Sequence, residues 1–416
     1  MFLAYFKVLK KRNFFLLWLG QVVSQFGDRL TQMALIGLVY KMKPYSSVSL
    51  AKIMSLAIVP VFLFSPLAGV YVDRWHKQRT MYWSDFLRGL FILLIPAFFF
   101  YLRSFFLVYC LIFLSFSVGR FFISSKMAII PALVEKENIF MANSLVSTTA
   151  MVAAILGFGL GGIIVENWGI KVAFLVDALT FFVSALLICF MRIEEEKSFK
   201  AKDIIDLGRE ALNKVKRSFI FEIKEGMSYL LRSKETQYAS KILFLVFSCV
   251  GALYVVFVVF IQNTLSSITQ DVGILAVGGG LGLILGALLY GRVGFSLDVK
   301  KLINLAMIFS SLYLVFFVSF LKHYPSKPFA FLSCFILGIT VSPIEVAIRS
   351  LIHKDSDNSL LGRIFSSLEV VIHLSIIIFM FVSSYLAEIF GPFTVIIGVG
   401  IIIFLFSLGP SLRQND

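Results

Sequence analysis

Apolar and polar positions in this chain alternate on the scale of whole helices. Twelve mostly apolar runs, at 14–40, 48–72, 80–101, 105–125, 139–165, 170–191, 241–264, 271–291, 301–321, 329–349, 363–387 and 391–409, are separated by polar stretches. Each is long enough to cross a hydrocarbon layer, which takes roughly 20 helical residues. The pattern predicts an all-α integral membrane protein with twelve transmembrane helices. The first run follows Lys7, Lys10, Lys11 and Arg12. It exceeds the roughly 7–15 apolar residues of a signal peptide and lacks a small-residue cleavage site, so it reads as a retained helix.

The polar stretches set domains and sidedness. The longest, 192–240, separates an N-terminal bundle (1–191) from a C-terminal bundle (241–416). It opens with Glu194-Glu195-Glu196 and turns basic. Within it Ile220, Ile223, Met227, Leu230 and Leu231 share one helical face, which predicts an amphipathic helix on the inner leaflet or on the bundle. Lysine and arginine favour the connections on the side of both termini, even when this linker is set aside. The expectation is a plasma (inner) membrane protein with both termini cytoplasmic.

The halves also echo each other. Gly69-Val70-Tyr71-Val72-Asp73-Arg74 has a counterpart in Ala287-Leu288-Leu289-Tyr290-Gly291-Arg292, and Trp168-Gly169 has one in Phe390-Gly391. Two pseudo-symmetric six-helix bundles follow, as in transporters built from parallel repeats around a central site.

Composition agrees with a membrane setting and removes other classes. Hydrophobic residues make up 59% of the chain and charged ones 15%, against about a quarter in soluble domains. The net charge of +14 resides in turns, with no aromatic-interleaved basic patch, so no nucleic-acid partner is expected. Cys110, Cys189, Cys249 and Cys334 lie in separate apolar runs without metal-ligand spacing, which predicts neither disulfides nor a metal site. There is no Gly-x-x-x-x-Gly-Lys-Ser/Thr loop and no catalytic constellation. The chain is expected to be no enzyme, to need no cofactor and to act as a monomer.

Polar residues inside the runs carry the functional expectation, because charge in a bilayer requires partners or water. Gln21, Ser24, Gln25, Asp28, Thr31 and Gln32 recur at spacings of three and four along one side of the first helix, with Arg29 at its margin. Such a stripe is expected to line an aqueous cavity; a hydrogen-bonded helix contact is the alternative. Arg120 shares a face with Ser117 and Ser124, and Asp28 is a candidate partner for it. Glu369 and His373 stand at i and i+4, as a proton-exchanging pair or a static brace. Asp177, with Thr180 and Ser184, reads as packing. Asp85 with Arg88, and Glu345 with Arg349, read as clasps near the cytoplasmic side.

The turn Gly69-Val70-Tyr71-Val72-Asp73-Arg74-Trp75-His76-Lys77-Gln78-Arg79 resembles the loop that marks the major facilitator superfamily. Ser84-Asp85-Phe86-Leu87-Arg88, Ile130-Pro131-Ala132-Leu133-Val134, Ala142-Asn143-Ser144-Leu145 and Leu361-Gly362-Arg363-Ile364-Phe365 are similar to phrases of its macrolide-efflux and siderophore-exporter branch. Gly157-Phe158-Gly159-Leu160-Gly161-Gly162 resembles a glycine element of the drug antiporters, with Phe158 in place of proline; Gly157, Gly161 and Gly162 also suit close helix packing. The resemblance implies a secondary transporter that exports an amphipathic small molecule, drug-like or siderophore-like, with protons as coupling ion. It implies that Gly69, Asp73, Arg74 and Arg79 form a conformational latch, to which Asp85 and Arg88 are assigned. The substrate and proton path falls to Gln21, Gln25, Asp28, Arg29, Gln32, Arg120, Glu369 and His373. A lysophospholipid flippase and a non-transporting receptor or scaffold are the competing readings.

Overall fold

The computed structural model describes residues 2–72, 75–193, 234–293, 299–355 and 361–408, and among them every regular element is helical. A short helix, Phe2–Leu9, precedes twelve long ones. These are α1 (Arg12–Met42), α2 (Ser47–Val72), α3 (Lys77–Phe100), α4 (Phe105–Leu133), α5 (Ile139–Trp168), α6 (Ile170–Cys189), α7 (Lys234–Leu265), α8 (Gln270–Val293), α9 (Val299–His323), α10 (Lys327–Asp355), α11 (Leu361–Phe390) and α12 (Pro392–Leu408). Ten contain a stretch long and apolar enough to cross a membrane. Charges and amides dilute α1, and α12 is short. The ten spans bury only 28–50% of their most apolar window. Side chains such as Leu179, Phe309 and Leu405 remain exposed, a surface that only hydrocarbon can solvate cheaply.

Two helix limits depart from the expected spans, and both matter below. Helix α3 begins at Lys77, so Arg88 lies about 16 Å from its start at 1.5 Å per residue, near mid-helix. Helix α4 runs on past residue 125 to Leu133, which makes Lys126 helical. A lysine can prolong a membrane helix when its stem is buried and its ammonium finds a partner.

The chain forms two compact units. The first comprises Met1–Leu38 and Ile53–Phe219; the second comprises Val39–Lys52 and Ile220–Asp416. Residues 39–52 thus group with the second unit. There Ser46 Oγ donates to Glu388 Oε1 at 2.6 Å and the Val48 amide donates to the same oxygen at 3.2 Å.

Within the first unit, α3 packs on α4 and α6; within the second, α9 packs on α10 and α12. Small residues seat one helix of each unit on another. Gly157 of α5 lies against Phe26 and Arg29 of α1, and Gly251 of α7 lies against Ile376 of α11. The junctions α5–α6 and α11–α12 turn on Gly169 (φ 86°) and Gly391 (φ 84°), a left-handed conformation that glycine adopts without strain. The corresponding members of each pair are offset by six helices along the chain. In the second unit Gly278, Gly282 and Gly286 of α8 sit on Phe331, Phe335, Gly338 and Ile339 of α10, a close interface that small residues allow.

One end of the first unit is laced by polar contacts around a core of Phe14, Leu17, Met81, Phe122, Ile129 and Ile188. Asn13 donates to the Arg192 carbonyl at 2.7 Å and accepts from its amide at 3.0 Å. Gln78 donates to the carbonyls of Ile188 and Met191, both at 2.8 Å, so a side chain at the start of α3 caps the end of α6. Glu135 accepts from Lys11 at 2.9 Å and lies 3.5 Å from Lys7. The Lys11 hydrogen bond, then the Lys11 and Lys7 charges, hold its carboxyl below the ordinary range.

Candidate functional site

The polar stripe of α1 divides between two kinds of surroundings. Gln21, Ser24 and Thr31 are buried against protein, while Gln25, Asp28, Arg29 and Gln32 are half-buried. Glycines explain the close seating on α6. A Cβ at Gly27 would overlap Thr180 Oγ1 and Asp177 Oδ1, and one at Gly20 would lie 3.0 Å from Ser184 Oγ. Through this seam Thr31 donates to Asp177 Oδ2, and Thr180 Oγ1, 2.7 Å from the Asp177 carbonyl oxygen to which it donates, also lies 3.1 Å from Asp177 Oδ1. Asp177 is fully buried. Its hydroxyl partners make it part of a dry interhelical contact, in line with a packing role.

The charged centre lies beside this seam. Asp28 of α1 pairs with Arg88 of α3, where Arg88 Nη2 donates to Asp28 Oδ1. The Arg88 side chain is 9% exposed and that of Asp28 is 26% exposed. Arg88 Nη1 also lies 3.7 Å from Oδ1 of Asp85, which is 0% exposed. Ser184 donates to Asp85 Oδ2 at 2.6 Å, and Oδ1 has no hydrogen bond. The guanidinium therefore stands between two carboxylates, one partly accessible and one enclosed. It stacks 4.1 Å over the Phe181 ring, and a Cβ at Gly119 would lie 3.3 Å from Arg88 Nε. Glycine at 119 leaves room for that side chain to cross.

This arrangement revises two expectations. Asp85 and Arg88 were assigned to the cytoplasmic latch, yet they lie in mid-helix with Asp28 and Ser184, because α3 starts earlier than its apolar run. Asp28 was a candidate partner for Arg120, yet the hydrogen-bonded cation is Arg88; Arg120 feels Asp28 and Arg88 only through space. Lys126 was not among the expected site residues. It donates to Gln21 Oε1 at 2.9 Å, and Asp28, Asp85 and Arg88 are its charged neighbours. Gln21 also accepts from Gln25 at 3.1 Å. The available signal was Lys126 standing six residues after Arg120 in one unbroken helix.

The other expected site residues are placed as follows. Arg29 lies over Phe158, 5.3 Å from its ring centre, against the helix that carries Gly157, Gly161 and Gly162. Gly161 faces Leu30 and Met33. Gly69 and Arg79 are exposed. Trp75, in the same turn, stacks on Phe121 of α4 at 6.1 Å and touches Tyr71 at 5.0 Å. In the second unit His373 Nδ1 donates to the Glu369 carbonyl oxygen at 2.7 Å and lies 3.9 Å from its carboxylate. That nitrogen is committed to its own helix. Asp73, Arg74 and the amphipathic linker helix lie outside the described residues, as do the side chains of Glu345 and Arg349. Among the described residues no group of three or more His, Cys, Asp or Glu is arranged to hold a metal, and the four cysteines are free.

Known proteins share this architecture. The chain is 26% identical to an uncharacterized MFS-type transporter, YkuC, of Bacillus subtilis, over 86% of this chain and 81% of that one. It is 24% identical to the putative bacilysin exporter BacE of the same species (89% and 87%) and 24% identical to macrolide efflux protein A of Streptococcus pyogenes (90% and 89%). In fold it resembles an inward-facing bacterial homologue of the iron transporter ferroportin, with a TM-score of 0.70, 14% identity and coverage of 95% and 98%. A proton-dependent oligopeptide transporter gives a TM-score of 0.69 at 12% identity, with coverage of 96% and 97%. The family model described as Major Facilitator Superfamily matches residues 17–267. A polytopic helical chain with mid-helix charges and this match is a transporter, not an enzyme, and it belongs to the major facilitator superfamily.

Proposed function

We propose that this transporter is a proton-coupled exporter of an amphipathic small molecule, working by alternating access in the plasma membrane with both termini cytoplasmic. The observation that carries the reading is Arg88 held between partly accessible Asp28 and enclosed Asp85. Protonation of Asp28 removes one of the two anions that hold the guanidinium. Arg88 then leans on Asp85 alone, and α1 is freed from α3 at mid-helix. Deprotonation restores the pair. One proton thereby changes which helices are bound together, which is what coupling by population shift requires. The exporter direction draws on relatives named for bacilysin export and macrolide efflux.

Gly69, Asp73, Arg74 and Arg79 serve as the latch in this reading. Stacking of Trp75 on Phe121 and capping of α6 by Gln78 support a turn held firmly against the first unit. Glu369 and His373 act as a local brace in α11.

The test uses proteoliposomes with an acidic lumen, offered a labelled macrolide and dansyl-phenylalanine in separate runs. At least one is expected to accumulate in wild type, to be released when nigericin collapses the pH difference, and to be excluded by Asp28→Asn. Accumulation that ignores both the gradient and the substitution overturns proton coupling at Asp28.

A further inference from the structure

The cations inside the first unit are unequally served. Arg88 has Asp28, Asp85 and the face of Phe181. Lys126 has the Gln21 amide oxygen. Arg120, in the middle of α4, is different. Among the described residues no hydrogen bond or ion pair reaches its guanidinium, and its Nε is buried without a partner. Its charged neighbours are Asp28, already bonded to Arg88, and Arg88 itself, which repels it.

Among the described residues of this interior no carboxylate is left to serve it. Asp85 is enclosed by Ser184 and Arg88, and Asp177 by Thr31 and Thr180. Ser117, one turn before Arg120, has its hydroxyl turned to the Phe113 carbonyl at 2.6 Å. A guanidinium cannot shed its charge and presents donors as a planar fork that fits a carboxylate at two points. A half-buried fork in mid-helix, beside groups already paired among themselves, is suited to an anion brought from outside the chain.

We propose that Arg120 binds the carboxylate of the cargo, so that the exported molecules are amphipathic acids or zwitterions and not simple amines. Lys126, whose amide partner carries no charge, adds to the positive field on the same helix. The inference rests on the exporter reading and narrows it to a substrate class.

The test compares dansyl-phenylalanine with its methyl ester, alike in size and aromatic body, by fluorescence polarisation on the purified full chain in detergent. The acid is expected to bind wild type about tenfold or more tightly than the ester, the scale of a charge-assisted hydrogen bond. Arg120→Gln should erase that preference while leaving ester binding unchanged, and Arg120→Lys should restore part of it. Thermal melting and size-exclusion profiles of both variants show whether each is folded. Equal binding of acid and ester, binding of neither, or a preference that survives in folded Arg120→Gln overturns the proposal. The exporter reading is scored separately: Asp28→Asn should lose gradient-driven uptake yet keep the acid preference. Acid-selective binding without proton coupling would therefore support Arg120 as the anion site and remove the coupling scheme.

Discussion

Arg88 is the group whose removal the charged centre should tolerate least. At an effective dielectric constant of 20, opposite charges about 4 Å apart attract by about 4 kcal/mol. Arg88 Nη1 lies 3.7 Å from Asp85 and Nη2 bonds directly to Asp28. Replacing Arg88 with Gln leaves Asp85, at 0% exposure, without a cation in contact, and breaking a buried pair from one side costs about 3–5 kcal/mol. Asp28→Asn is milder because Arg88 keeps Asp85. Melting followed by tryptophan fluorescence in detergent should register Arg88→Gln as a loss on the order of 10 °C, and Asp28→Asn as less than half of that. Adding Asp28→Asn and Asp85→Asn to Arg88→Met should recover most of the loss, since all three charges leave together. An Arg88→Gln protein as stable as wild type, or less affected than Asp28→Asn, refutes the bridging role.

The seam between α1 and α6 predicts that Gly27→Ala lowers the melting temperature, because the new methyl overlaps Thr180 and Asp177 and overpacking costs about 1–3 kcal/mol. Gly291→Ala, where a methyl meets nothing within 4 Å, serves as the neutral control. Thr31→Val should destabilise by about 1–3 kcal/mol through loss of a donor to a buried carboxylate, read in the same melt. At the laced end, Glu135 has a carboxyl pKa lowered by Lys11 and Lys7, so its contribution is fully present above the ordinary carboxylate pKa and lost as pH falls through the depressed value. Protection of residues 2–9 from hydrogen exchange, taken relative to the intrinsic rate at each pH, should hold at neutral pH and fall only under strong acid. Glu135→Gln should lower that protection at neutral pH and remove its fall under acid.

The all-helical membrane architecture and the glycine junctions were legible because each depends on a local property: the length of an apolar run, or one residue at φ above 80°. The membrane family was legible in the 69–79 turn for the same reason. The partners of the charges were not. Whether Asp28 meets Arg88 or Arg120 depends on how the helices that carry them rotate about their axes, and close contacts such as Gly27 against α6 and Gly119 against Arg88 belong to that packing. Those contacts are long-range and leave no periodic trace. Lys126 escaped notice because a charge at the edge of an apolar run reads as its end, when here the helix continues to Leu133. The α1 stripe was expected to line an aqueous cavity, with a hydrogen-bonded helix contact as the alternative. Half of it is spent on protein: Gln21, Ser24 and Thr31 are buried, and the accessible functional content narrows to Asp28 and its neighbours.

The decisive measurement is cargo-driven proton movement in proteoliposomes with pyranine trapped in the lumen, comparing wild type with Asp28→Asn. With no pH difference at the start, inward movement of cargo should drive protons out of the lumen and raise its pH in wild type, while Asp28→Asn leaves the dye signal flat. Cargo entering wild-type vesicles with no change in lumenal pH, or an equal change in Asp28→Asn, contradicts the account.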